Sequence, residues 1–88
     1  MNTVSKGLRE IRVHFSPSSP ASKGLRSFVL NKYASFKSSN PGLPVMVREA
    51  HNVESRIIAR FEKGVEKKVN VDNLPEDEIS KLFKTLVQ

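Results

Sequence analysis

The chain contains no cysteine. That excludes disulfide staples, thiol redox chemistry, thiolate zinc sites and cysteine-ligated iron–sulfur clusters. It does not fix a compartment, because reducing and oxidising spaces both tolerate such chains. Tryptophan is absent, tyrosine occurs once, and the two histidines are His14 and His51. The glycines at 7, 24, 42 and 64 are scattered and form no phosphate-cradling motif. No apolar run approaches the ~18 residues of a membrane span. The opening, Met1 to Gly7, lacks the apolar core of a secretory signal and is too short for an arginine-rich amphipathic presequence. The expectation is a cytosolic protein or one imported on an internal signal.

What is present suits one small domain. A chain of 88 residues buries only about 60% of its unfolded surface, so its stability is expected to be marginal. A partner could supply what the core lacks. The hydrophobic fraction of 38% and charged fraction of 27% are those of an ordinary soluble domain. The net charge of +6 is unevenly placed. Residues 1–48 hold eight Lys/Arg and one acid, Glu10, for +7, whereas residues 49–88 sum to −1. A basic half fits RNA, anionic lipid or an acidic protein surface, and equally a plain solubilising charge.

Residues 1–7 read as a flexible N-terminal tail, and residues 8–88 as a single domain. The domain is organised around a strand from Leu8 to Phe15, in which Ile11, Val13 and Phe15 alternate with Glu10, Arg12 and His14. The prolines of Ser16-Pro17-Ser18-Ser19-Pro20 end it. Ser22 is the expected N-cap of a helix whose stripe is Leu25, Phe28, Val29, Lys32/Tyr33 and Phe36. Asn40-Pro41-Gly42 should stop it, with glycine taking a positive φ. A second strand follows over Pro44 to Glu49, then a third over Arg56 to Phe61 with Ile57, Ala59 and Phe61 on one face. Lys63-Gly64 turns the chain into a fourth strand, Val65 to Val71. Asp72 to Glu78 opens the last helix, whose stripe is Ile79, Leu82, Phe83 and Leu86.

The order β-α-β-β-β-α predicts an α/β (α+β) domain of thioredoxin-like type. Its four-stranded mixed sheet has the order 2-1-3-4, with two helices on one face. In the full version of that fold another helix covers the second face. Here only residues 50–55 are available for it, so that face is expected to stay open. Alternation places Glu10, Arg12, His14, Met46, Arg48, Ile58 and Arg60 on it. Arginine with apolar spots is an interface composition, and arginine suits buried ion pairs. The predicted contact surface is therefore Arg12, Met46, Arg48 and Arg60, with Arg9 and Arg26 added near the loop after the first strand. An ordinary solvated sheet face is the plain alternative.

Enzymes of this layout place a cysteine in the loop after strand 1, where this chain has Ser16 to Ser22. Serine cannot exchange disulfides. Hydrolysis would need a positioned base, and His14 is merely a near neighbour of Ser16 on one extended stretch, without a Gly-x-Ser-x-Gly elbow. Residues 50–56 contain no proline to serve as the substrate-clamping cis-proline of those enzymes. Two separated histidines are a poor metal set. Glu76, Asp77 and Glu78 are explained by the helix dipole. No catalytic, cofactor or metal residue and no small-molecule substrate is expected. The aromatics occupy core phases, and no RNA-binding signature is present.

Four stretches carry a resemblance: Leu8-Arg9-Glu10-Ile11-Arg12-Val13-His14, Ser22-Lys23-Gly24-Leu25-Arg26-Ser27-Phe28, Asn40-Pro41-Gly42-Leu43-Pro44 and Val47-Arg48-Glu49. Together they resemble a family of small thioredoxin-like mitochondrial domains. One branch is an accessory subunit of NADH:ubiquinone oxidoreductase, respiratory complex I, and the other comprises two mitochondrial ribosomal proteins. The resemblance runs from about residue 7 to 87, through Arg60, Gly64 and Asn73-Leu74. Gly24, Arg26, Phe28, Asn40 and Pro41 also resemble the ribosomal branch. The Leu-Arg-Glu-Ile-Arg opening, the Leu-Pro…Arg-Glu strand and the lack of a long basic extension look more like the complex I branch. Many members carry cysteines where Ser16 and Ala50 stand, which the resemblance implies could pair as a disulfide across the tops of strands 1 and 2. Their loss here puts any general redox role in doubt. The resemblance implies a non-catalytic structural and assembly role, peripheral to the inner membrane on its matrix side, against the large iron–sulfur subunit. The membrane would be met only through the complex. A mitochondrial ribosomal protein touching rRNA is the alternative, and a free-standing oxidoreductase or hydrolase the third reading.

Overall fold

The computed structural model describes residues 7–51 and 53–87. Of the expected tail, residues 1–6 lie outside them; Gly7 already accepts a backbone hydrogen bond from Glu62. β1 (Leu8–Phe15) is the hub of the sheet. It pairs in parallel with β2 (Val45–Glu49) and antiparallel with β3 (Arg56–Phe61). β3 pairs with β4 (Glu66–Asn70), so the order is β2-β1-β3-β4, as the element order predicts. A parallel neighbour requires a crossover, and α1 (Lys23–Ser39) supplies it. α2 (Glu76–Val87) closes the chain's described part.

Both helices cover the same face. Ile11, Val13 and Phe15 of β1 and Ile57 and Ala59 of β3 meet Leu25, Phe28 and Phe36 of α1 and Ile79, Phe83 and Leu86 of α2 in one core. The ring of Phe83 lies 5.2 Å from that of Phe28 and 5.0 Å from that of Phe36, centroid to centroid. The three rings lock helix to helix, in tilted and edge-on geometry that the aromatic quadrupole favours. Val45 and Val47 of β2 complete the layer at its edge.

Leu8 breaks the alternation yet is buried. Between Leu8 and Glu10 the pairing with β3 slips: Leu8 faces Phe61 and Glu10 faces Arg60, so Arg9 is the extra residue of a bulge. The bulge turns Leu8 into the core and leaves Arg9 exposed.

Three local expectations are corrected. Ser22 precedes α1, but its hydroxyl does not cap the helix. It is fully buried and instead accepts the Ser16 N–H and bonds the Ser55 hydroxyl. The cap is made by Ser19, which starts a short 3-10 turn (Pro20–Ser22) by accepting the Ala21 N–H. Gly42 does not use positive φ; among the described residues Lys63, Gly64 and Asn73 do. α1 is terminated instead by Asn40, whose backbone and side-chain N–H groups both donate to the Phe36 carbonyl. Finally, β4 and α2 are shorter than expected, beginning at Glu66 and Glu76.

Gly24 marks the tightest packing. A Cβ placed there would stand 1.8 Å from the Leu74 carbonyl oxygen. Asn73, at φ 63°, turns the segment before α2 down onto the start of α1, and its N–H donates to the Ala21 carbonyl at 2.8 Å. The Lys63-Gly64 turn between β3 and β4 uses positive φ at both positions (63° and 74°), as a tight hairpin demands.

Candidate functional site

The residues of β1 that point away from the helices are Glu10, Arg12 and His14. Register carries that face across the sheet in three rows. Glu10, Arg60 and Glu66 form the first. Met46, Arg12, Ile58 and Lys68 form the second, and Arg48, His14, Arg56 and Asn70 the third. Among the described residues no helix lies over these rows, and residues 50, 51 and 53–55 form none.

Charges on the face are only partly satisfied. Glu10 is the hub of the first two rows: its carboxylate accepts from Arg12 Nε at 2.8 Å and lies 3.7 Å from Arg60 Nη1. The Glu10 side chain is 16% exposed, against 40% for Arg12 and 48% for Arg60. At the other end Arg56 Nε donates to His14 Nδ1 at 3.1 Å, and its Nη1 lies 3.2 Å from Glu54. Glu54 also accepts from Asn70. Arg48 makes no ion pair or side-chain hydrogen bond among the described residues.

His14 is electrostatically crowded. Burial, followed by the positive charges of Arg56, Arg12 and Arg48, holds its pKa below the ordinary 6.5. A neutral imidazole whose Nδ1 accepts from Arg56 carries its proton on Nε2.

Of the predicted contact residues, Arg12, Met46, Arg48 and Arg60 share this face. Arg9 and Arg26 do not. Arg9 sits at the bulge, at the opposite end of β1 from the loop it was expected to flank, and its Nη2 meets Glu62 at 3.3 Å. Arg26 does border that loop, but as its clamp: Nη1 donates to the carbonyls of Ser16 (2.9 Å) and Ser19 (2.8 Å). Arg56 belongs to the face and is missing from the predicted set. The alternation that assigns Ile58 and Arg60 extends one step back to it, so the signal was there. Glu66, Lys68 and Asn70 needed the register of β4.

The loop after β1 is built from buried hydroxyls. Ser16 Oγ accepts from the N–H groups of Ser18 and Ser19, and Ser22 ties Ser16 to Ser55. Asp72 accepts the Ser55 N–H at 2.8 Å. This network joins the ends of β1 and β4 to the starts of α1 and β3 without a histidine, since His14 Nδ1 is taken by Arg56 and His51 lies exposed. Ala50 N donates to Phe15 O, which sets Ser16 and Ala50 side by side at the tops of β1 and β2. Among the described residues no group of three His, Asp or Glu could hold a metal ion. Among the described residues no helix is long and apolar enough to cross a membrane.

The profile of the family described as "Mitochondrial ribosomal protein L51 / S25 / CI-B8 domain" matches residues 25–76, from the first core position of α1 to the start of α2. Similar proteins extend the match to nearly the whole chain. "NADH dehydrogenase [ubiquinone] 1 alpha subcomplex subunit 2" of Arabidopsis thaliana is 42% identical over 86 residues, covering 98% of this chain and 89% of the plant protein. The Mus musculus protein of the same name is 40% identical over 81 residues, 92% of this chain and 82% of its own length. The mouse "Large ribosomal subunit protein mL43" is 30% identical over 79 residues, 90% of this chain but 43% of that protein. By the profile match over more than half of its length and the similarity to these relatives, this chain belongs to the mitochondrial ribosomal protein L51 / S25 / CI-B8 domain family.

Proposed function

We propose that this chain is a non-catalytic accessory subunit of mitochondrial complex I. It sits on the matrix side of the inner membrane, peripherally, and reaches the membrane only through the complex. The large iron–sulfur subunit is its partner, and support and assembly of the enzyme are its work. Similarity to NADH dehydrogenase subunits over most of both lengths supports the choice of complex. The observation that carries the mode of action is the open sheet face, with Arg12, Arg48, Arg56 and Arg60 around Met46 and Ile58. A sheet with one bare face and marginal core gains from being covered. Arg9 and Arg26, although off this face, remain on the perimeter where a large partner would reach.

Blue-native electrophoresis of a mitochondrial membrane extract, probed for this chain, tests the reading. Co-migration with complex I is expected, and loss of the chain should deplete assembled enzyme. The chain appearing only as a free monomer would overturn it. A second reading, a ribosomal protein on rRNA, is favoured by the match to mL43 and by the basic half. Sedimentation separates the two, since the chain travels either with ribosomal particles or with the respiratory enzyme.

A further inference from the structure

We propose that the row Arg48, His14, Arg56, flanked by Arg12, receives carboxylates from an acidic segment of a partner protein, while Met46 and Ile58 beside it take that segment's apolar side chains. The inference deepens the proposed function and rests on it. It begins with which charges the chain already satisfies. Glu10 serves both Arg12 and Arg60, so the first row is nearly neutralised from within. The third row has no such hub. Glu54 reaches Arg56 only from the sheet's end, and Arg48 on the edge strand β2 is unpaired among the described residues.

The geometry therefore leaves positive charge at one end of the face. Arg48 and Arg56 flank His14 on neighbouring strands, about 10 Å apart from backbone to backbone by strand spacing. Three guanidinium groups surround one imidazole, the basicity of which is lowered first by burial and then by their charge. A carboxylate entering there would meet donors from Arg48, from Arg12 and from the Nε2–H of His14. Guanidinium groups bind carboxylates in a fork geometry that lysine lacks.

The same face argues against RNA as the occupant. Stacking of bases needs exposed aromatics, and the phenylalanines of the core together with Tyr33 lie on the helix side. Met46 and Ile58, both half-buried, add apolar area next to the arginines, the mixture typical of protein contacts.

The test uses full-length tagged chains in cells deleted for the wild-type one. The variants are Arg48→Gln, Arg48→Glu and Arg12→Glu/Arg48→Glu. A Lys81→Glu/Lys84→Glu control makes the same charge change on α2, across the sheet. The readout is the fraction retained in complex I on blue-native gels after a salt wash, with thermal melts of each purified chain to confirm folding. Retention should fall about tenfold or more for Arg48→Glu, further for the double variant and less for Arg48→Gln, and the control should bind as wild type. Folded arginine variants retained at the wild-type level would overturn this inference and leave the proposed function intact. A wild-type chain that never enters complex I would remove both. Binding to ribosomal particles that is lost with Arg48 would replace the acidic segment by RNA and refute the inference.

Discussion

Replacing Gly24 with alanine sets two physical terms against each other with opposite signs. Gly24 lies in the first turn of α1, where helix propensity alone favours alanine by about 1 kcal/mol. Packing says the reverse. The new Cβ would stand 1.8 Å from Leu74 O and 3.0 Å from Leu74 C, where real Cβ atoms essentially never come below 3.0 Å. The start of α1 and the segment before α2 must therefore part by about 1.2 Å. Both neighbours are backbone, so no side-chain rotation relieves the clash. Parting them also stretches the 2.8 Å bond from Asn73 N–H to Ala21 O. Overpacking of this kind costs about 1–3 kcal/mol or more, and a lost hydrogen bond about 1 kcal/mol. The net expectation is a loss of about 1–3 kcal/mol, from a total of about 4–13 kcal/mol for a chain this size. That corresponds to a fall in Tm of roughly 4–24 °C. Thermal unfolding followed by far-UV circular dichroism measures it. A Gly24→Ala chain melting at or above the wild-type temperature would refute the steric reasoning, because propensity would then have won.

Three other perturbations probe the hydroxyl network, the aromatic core and the open face. Ser22→Ala strips the buried Ser16 N–H and Ser55 hydroxyl of their partner, and should cost about 1–3 kcal/mol in urea unfolding; Ser55→Ala should cost less in that background than in the wild type. Phe83→Ala removes the ring shared by Phe28 and Phe36 and should cost about 3–5 kcal/mol, a large part of the total stability; an unchanged denaturation midpoint would contradict the packing. For His14, the folded pKa lies below the unfolded 6.5, so the unfolded chain takes up its proton first as pH falls. The stability contributed by neutral His14 is whole above about pH 6.5 and declines as pH drops through that value toward the folded pKa. The urea midpoint should fall between about pH 7.5 and about pH 5.5, and fall less in His14→Gln; identical pH dependence in both chains would show that His14 is not the group responsible.

Element order, strand pairing scheme and the polar character of the open face were legible in the residues themselves. The reason is that alternation and helical periodicity are written in consecutive positions: Ile11, Val13 and Phe15 against Glu10, Arg12 and His14 already separate one face from the other. The absence of cysteine likewise excludes thiol–disulfide chemistry from the sequence alone. What the tertiary structure alone decided is how distant positions meet. Arg9 became a bulge because Leu8 pairs with Phe61, and Arg56 joined His14 across 42 residues. Ser22 gave its hydroxyl to Ser16 and Ser55 in place of its own helix, and Gly24 was pressed on Leu74. Each of these depends on register and close approach between segments far apart in the chain, and no local pattern encodes which partner a side chain finds there.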